Sequence, residues 1–202
     1  MYPKGVKLRW QPLGLLNVFD VNLTLGAEYF YAERRSVYLD AGYIFASAFS
    51  QNNGGAILPT AGMQLRGGHR WYLGNSTPWF VETDARYKHV KYAENERWVG
   101  RNVVNGIPSF SELVRYNEKK DIITVEGKVG LLGRFGRNGN CAIESWIGLG
   151  LRYRNFYADL PADAQFFDDN FDFINYGRYT FLNVPLGLRL TWQLNAPPKP
   201  RR

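Results

Sequence analysis

From residue 182 to residue 194 every second side chain is large and apolar: Leu182, Val184, Leu186, Leu188, Leu190, Trp192 and Leu194. Between them stand Asn183, Pro185, Gly187, Arg189, Thr191 and Gln193. A period of two puts one set on each face of a β-strand, whereas a helix would mix them. The same rhythm recurs in segments 6–11, 21–29, 36–45, 63–73, 79–88, 123–131 and 143–154, and helical periodicity is nearly absent. The pattern predicts an all-β chain of about eight antiparallel strands, with residues 1–194 as one domain. Residues 195–202, Asn-Ala-Pro-Pro-Lys-Pro-Arg-Arg, cannot form a strand and read as a basic, polyproline-like tail.

The connections alternate in length. Short turns are expected at Arg34-Arg35, at 74–77 and at 136–140, and long loops at 46–60, 90–119 and 155–176. The first connection on the loop side, around Asn17–Phe19, is short and departs from that rhythm. Up-and-down strands with tight turns at one end and large loops at the other are the layout of an outer-membrane barrel, turns periplasmic and loops extracellular.

The apolar set can face lipid, or it can face inward as in a soluble lipocalin-like carrier of an apolar ligand. The polar set is rich in glycine and in charges of both signs, which suits the crowded inside of a narrow barrel. The apolar set also ends in Trp10, Tyr29, Trp71, Trp79, Tyr153 and Trp192, the residue types that collect at membrane interfaces. The expected fold is therefore a closed antiparallel eight-stranded transmembrane β-barrel of the bacterial outer membrane, with both termini periplasmic. The mean hydropathy of -0.34 agrees, because alternating faces cancel. No run of about 18 apolar residues offers a transmembrane helix. Residues 1–20 lack an apolar leader core, so an exported chain is expected in its mature form, with Met1 native or added. The single Cys141 allows no internal disulfide and no cysteine-based metal site. The net charge of +7 is not gathered into a basic stripe, so nucleic acid is not expected as a partner. The surroundings expected instead are outer-membrane lipid and lipopolysaccharide, together with other outer-membrane proteins.

Turned inward, the polar set becomes an interior network of Arg9, Glu28, Asp40, Arg66, Arg70, Glu82, Asp84, Arg86, Lys88, Glu126, Lys128, Glu144, Arg152 and Arg189. Eight strands leave room for side chains only, so ion pairs are expected to fill the lumen in preference to a conducting pore.

The run Lys7-Leu8-Arg9-Trp10-Gln11-Pro12-Leu13-Gly14-Leu15-Leu16, followed by Asn22-Leu23-Thr24-Leu25-Gly26-Ala27-Glu28-Tyr29, resembles the opening hairpin of small outer-membrane barrels of unknown function. Those barrels are related in architecture to the OmpX-like and OmpA-type proteins. The segment 67–73, ending Arg70-Trp71-Tyr72-Leu73, and the final strand to Leu194 fit the same pattern. The resemblance implies location and fold, and brings no catalytic residues. Such strands commonly finish at a terminal aromatic, whereas this chain continues past Trp192 and Leu194.

Four features remain as candidate sites. His69 and His89 are the only histidines, both on the apolar face; His89 would need Ser109 or Ser111 from the loop to make a lipid-modifying enzyme, and interfacial histidines are the favoured reading. Asp168, Asn170 and Asp172 are spaced like the start of a calcium loop, but Phe173 stands where the turn glycine belongs, so a solvated acidic loop is favoured. Phe166, Phe167, Asp168, Asp169, Asn170, Phe171 and Asp172 alternate acid and aromatic groups, as an extracellular interaction loop would; a self-packed cap, its rings against Trp98, Val103, Val104 and Ile107 of the loop 90–119, is the equal alternative. Pro12 and Pro185 fall where the first and last strands must pair, so a local gap or bulge is expected at that seam; a gap open to the outer leaflet could admit a lipid tail or dock a partner protein, and a bulge with no role is the favoured reading. The expectation for function is a non-enzymatic interaction module or accessory subunit of a larger outer-membrane complex, with no cofactor.

Overall fold

The computed structural model describes residues 5–15, 20–47, 58–73, 78–103, 107–136, 140–166 and 177–194. Among them are ten antiparallel strands and a single 3-10 turn, Pro12–Gly14. The strands are β1 (Gly5–Trp10), β2 (Val21–Ala32), β3 (Arg35–Ser47), β4 (Leu58–Tyr72), β5 (Trp79–Arg101), β6 (Phe110–Phe135), β7 (Cys141–Ala158), β8 (Ala164–Phe166), β9 (Gly177–Asn183) and β10 (Leu186–Gln193).

Each of β1 to β7 pairs with its successor, β7 pairs with β10, and β10 pairs back with β1. Hydrogen bonds thus close a ring through eight strands. β9 extends the same side of β7 above β10: Gly150 faces Asn183 and Ile147 faces Leu186, one unbroken register. A closed ring leaves no free edge where it is complete, which removes the usual hazard of exposed strand edges.

The pleat sorts the side chains in the sense opposite to a water-soluble core. Arg9, Arg70, Arg189, Glu28, Glu82 and Glu144 are fully buried, while Leu25, Leu39, Leu65, Val125, Leu149 and Leu151 are each at least half exposed. Two apolar clusters close off the charged interior. Phe30, Tyr72, Phe80, Leu132 and Ala142 pack at the tight-turn end, and Ile44, Val90, Tyr92 and Phe156 pack toward the loop end. Glycines admit the larger interior groups: a Cβ on Gly26 would sit 2.0 Å from an oxygen of Asp40.

The segment 90–119, expected as a loop, is mostly strand. Pairing between β5 and β6 continues past a bulge at Lys91/Glu94 as far as Arg101 opposite Phe110. β8 adds a third strand through Val99↔Phe166, Gly100↔Gln165 and Arg101↔Ala164. β4 last pairs with β5 at Ala61↔Lys91, so ten further residues of β5 stand beyond the ring, a reach of roughly 30 Å. Arg101 pins the arm's tip, bonding Glu112 at 2.7 Å and Asp163 at 2.9 Å. The segment 155–176 also contains strand, at the end of β7 and in β8. Segments 16–19, 48–57, 74–77, 137–139, 167–176 and 195–202 lie outside the described residues. Among the described residues no helix is long and apolar enough to cross a membrane, which says nothing of strands.

Candidate functional site

The interior network is built by strand register. Arg66 stands directly opposite Arg86 across β4 and β5, and Asp84 opposite Glu126 across β5 and β6. Like charges so placed repel, and the relief is diagonal. Arg66 donates through Nη2 and Nε to Asp40 Oδ2, at 2.6 and 3.1 Å. Lys128 binds Asp84 and reaches Glu126 at 2.8 Å, and Arg86 reaches Glu126 at 3.2 Å.

Toward the tight-turn end the groups are denser. Arg70 binds Glu82 and lies 2.9 Å from Glu144 and 3.3 Å from Glu28. Arg189 is 3.1 Å from Glu144 and 3.4 Å from Glu82. Lys7 donates to the Tyr72 hydroxyl at 3.0 Å and reaches Glu144 at 3.4 Å. The Tyr38 hydroxyl lies 2.6 Å from Glu82 and 2.7 Å from Asp84, so its one proton serves two carboxylates. The guanidinium carbon of Arg9 lies over the Tyr38 ring, 3.5 Å from its centroid, and Arg9 Nε is 3.0 Å from Asp40. In this part Lys7, Arg9, Arg66, Arg70, Lys128 and Arg189 face Glu28, Asp40, Glu82, Asp84, Glu126 and Glu144, a balanced set. Buried charges are tolerable on those terms alone.

Toward the loop end Asp20 accepts from Lys88, and from Lys120 at 3.4 Å; Glu118 is the other buried carboxylate there among the described residues. Near them stand Arg152 and Arg154, and Arg86, which reaches Glu126. Arg152 and Arg154, both half-buried, lie beside the rings of Phe181 and Tyr179 across the β7–β9 ladder. The buried Nε atoms of Arg86, Arg152 and Arg154 have no hydrogen-bond partner.

Arg86 and Lys88 adjoin the seam. Pairing between β1 and β10 runs from Lys7↔Gln193 to Trp10↔Leu190 and stops. The Leu194 amide donates to Val6, so even-numbered amides of the last strand face β1. The Gln193 amide donates to Asn140, so odd-numbered ones face β7. By this alternation the next donor owed to β10 would come from residue 12, opposite Leu188. Residue 12 is proline and has no N–H. The chain turns away there: Gly14 N–H donates to Gln11 and Leu15 N–H to Pro12, closing the 3-10 turn, while Gln11 N–H keeps its bond to Thr24 of β2. Pro185 acts on the other side. Gly148 N–H donates to the Pro185 carbonyl at 2.9 Å, so what Pro185 lacks is one bond toward β7, and the β7 register shows no bulge. Above Trp10 the edge of β10 and β9 that faces away from β7 has no strand partner among the described residues. Residues 178–182 of β9 are exposed on both faces, unlike every strand inside the ring.

A cleft of about 180 Å³ opens at this gap. Leu13 and Gly14 of the turn form one lip, Leu186 and Leu188 the other, and Asp40, Arg66, Arg86 and Lys88 line its depth. Trp146 forms part of the wall, lying where a Cβ on Gly187 would meet its ring at 2.2 Å.

The histidines are both on the outer face. His69 bonds the Tyr31 hydroxyl and packs against Trp71, ring centroids 4.0 Å apart and planes tilted by 56°. His89 Nδ1 is 2.8 Å from Asp121, which also accepts from Tyr87 at 2.9 Å. Ser111 stands ten residues along β6 from Asp121, roughly 30 Å, and Ser109 farther, so neither meets His89. Among the described residues no group of three His, Cys, Asp or Glu side chains is placed to hold a metal. The candidate calcium ligands Asp168, Asn170 and Asp172 lie outside the described residues, as do Phe167, Asp169 and Phe171; only the backbone of Phe166 is described, paired to Val99.

Sequence reasoning missed Lys7, Asp20, Glu118, Lys120 and Arg154 as interior groups. Lys7 shares the polar face of Arg9, and Arg154 that of Arg152, so both were legible by parity. Asp20 precedes β2, and Glu118 and Lys120 lie in a stretch of β6 that is polar on both faces, where alternation carries no signal. No family model, curated protein or solved structure matches the chain.

Proposed function

We propose that this chain is an integral protein of the bacterial outer membrane, an eight-stranded transmembrane β-barrel without enzymatic activity. In this reading it serves as an interaction module or accessory subunit of a larger outer-membrane complex, through its extracellular loops and barrel wall. One observation carries the membrane reading: charges fill the inside of a closed ring while leucine, valine and aromatic side chains cover the outside. In water that partition wastes the hydrophobic effect, and in lipid it satisfies both faces. A lipocalin-like carrier needs the reverse partition. His89 with Asp121, lacking a neighbouring serine, is read as an interfacial pair.

The arm of β5, β6 and β8 supports the interaction role. Trp98, Leu113 and Phe110 are about half exposed on it. β6 pairs with β7 from Glu118 onward and the Asn117 carbonyl still accepts from Asp159, so among the described residues the edge of 110–115 has no strand partner on that side and could add a partner's strand. The barrel reading predicts that the protein leaves native membranes only with detergent and migrates faster unheated than boiled on a gel. Recovery in the soluble fraction would overturn it. The module reading predicts a stoichiometric partner copurifying from native membranes and lost with Trp98→Glu; copurification unchanged by that substitution would move the contact elsewhere.

A further inference from the structure

We propose that the cleft beside the Pro12–Gly14 turn is a carbohydrate site, which takes one neutral sugar ring against Trp146 and the leucine lips and holds its hydroxyl groups with Arg86 and the side-chain amide of Gln64. The site adds a ligand to the chain and stands whether the outer face of the barrel meets lipid or water.

The charges that line the cleft point to a neutral ligand, because each is already matched. Arg66 donates twice to Asp40, which also accepts from Arg9 at 3.2 Å and from Gln11 at 3.3 Å. Lys88 binds Asp20, and Arg86 reaches Glu126 at 3.2 Å. An ion entering the cleft would compete with one of these pairs, and an ion pair broken away from water is strongly disfavoured. A neutral ligand leaves all of them in place.

The remaining capacity is of the kind a hydroxyl group meets. The Nε of Arg86 is buried with no hydrogen-bond partner among the described residues. The amide nitrogen of Gln64 donates to Asn22 at 3.0 Å and to Thr24, so the group it offers a ligand is its carbonyl oxygen. Thr24 donates in turn to Asn22 at 2.8 Å, and Asn22 to the Asp20 carbonyl at 2.8 Å, which holds these side chains in place before any ligand arrives. A donor and an acceptor side by side suit a sugar hydroxyl, which accepts and donates, whereas a phosphate only accepts.

Size and walls agree. The cleft's volume, about 180 Å³, exceeds the ~150 Å³ cavity that admits benzene, a six-membered ring. Trp146, Leu13 and Leu188 give it apolar walls beside the polar depth. A pyranose has the same division, with C–H groups on its faces and hydroxyl groups at its rim, and few polar groups set in an apolar cleft are the usual make-up of a small-molecule site.

The test uses full-length protein folded in a polyoxyethylene detergent, which carries no sugar of its own. It is titrated calorimetrically with the methyl glycosides of glucose, galactose and mannose, with their octyl glycosides, and with inorganic phosphate. At least one glycoside should saturate at one per chain, with phosphate about tenfold weaker or worse. An octyl glycoside about tenfold tighter than its methyl counterpart would support a glycolipid headgroup as the source of the sugar, and equal affinities a free saccharide. Arg86→Lys keeps the charge beside Glu126 and removes the Nε donor, and should weaken the sugar about tenfold. Should that variant lose the heat-modifiable gel shift that reports folding, Leu13→Trp carries the test: it enlarges the lip without touching an ion pair and should weaken binding about tenfold or more. No saturable binding by any glycoside, phosphate bound as tightly as the sugar, or undiminished affinity in the folded variants would overturn the site.

Discussion

The Pro185 carbonyl accepts a hydrogen bond from Gly148 at 2.9 Å, within a β7 register that runs unbroken from β10 into β9. A proline in the last strand therefore leaves the seam with β1 untouched and removes one donor on the opposite side. The opening is set by Pro12, whose missing donor coincides with the end of pairing at Trp10↔Leu190. Pro185→Ala should add an amide facing Gly148 that is protected from hydrogen exchange, while the Leu186 and Leu188 amides, which face the gap, exchange faster than those of Gly187 and Arg189. Uniform protection across residues 186–189 in an NMR exchange experiment would show the seam to be closed.

Arg70 is the cation on which Glu28, Glu82 and Glu144 converge. Arg70→Met leaves three buried carboxylates short of a partner, so it should cost about 3–5 kcal/mol in urea unfolding. A change under ~1 kcal/mol would mean that Arg9, Lys7 and Arg189 reorganise to take its place.

The hydroxyl of Tyr38 is shared between Glu82 and Asp84, and its ring carries Arg9. Tyr38→Phe keeps the ring and deletes the proton, with an expected loss of about 1–3 kcal/mol. Tyr38→Leu removes the cation–π surface as well and should lose more. Equal losses for the two variants would assign the whole effect to the hydroxyl.

At the arm's tip the Arg101 guanidinium, hydrogen-bonded to Asp163, holds that carboxyl below its ordinary value. A depressed carboxylate stabilises its contact above the unfolded value and loses that stabilisation as pH falls through the depressed one. Docking of β8 should hold at neutral pH and weaken only below the usual carboxylate range. Limited proteolysis near residue 163 checks this: cleavage should rise on acidification in the wild type, and in Asp163→Asn it should be raised already at neutral pH.

The faces of the ring strands were legible because period two is imposed twice over, by apolar groups outside and charges inside. That is why Arg9, Glu28, Arg70 and Glu144 can be picked from sequence alone. The arm was not legible. Residues 110–119 and 91–101 alternate poorly, since both faces of a sheet standing clear of the ring carry polar groups. Nor does sequence say which neighbour a strand amide faces, so Pro12 and Pro185 looked alike although their missing donors point to opposite sides. Asp20 precedes β2 by one residue, and only the fold brings it to Lys88 and Lys120.

On the membrane reading the apolar outer face meets lipid. The most direct measurement is quenching by brominated lipids of a fluorophore placed at Leu149→Cys, 60% exposed, and at Thr124→Cys, fully buried inside, each in a Cys141→Ser background reconstituted in vesicles. Strong quenching is expected at residue 149 and almost none at residue 124. Residue 149 unquenched by lipid and open to a water-soluble quencher would contradict it.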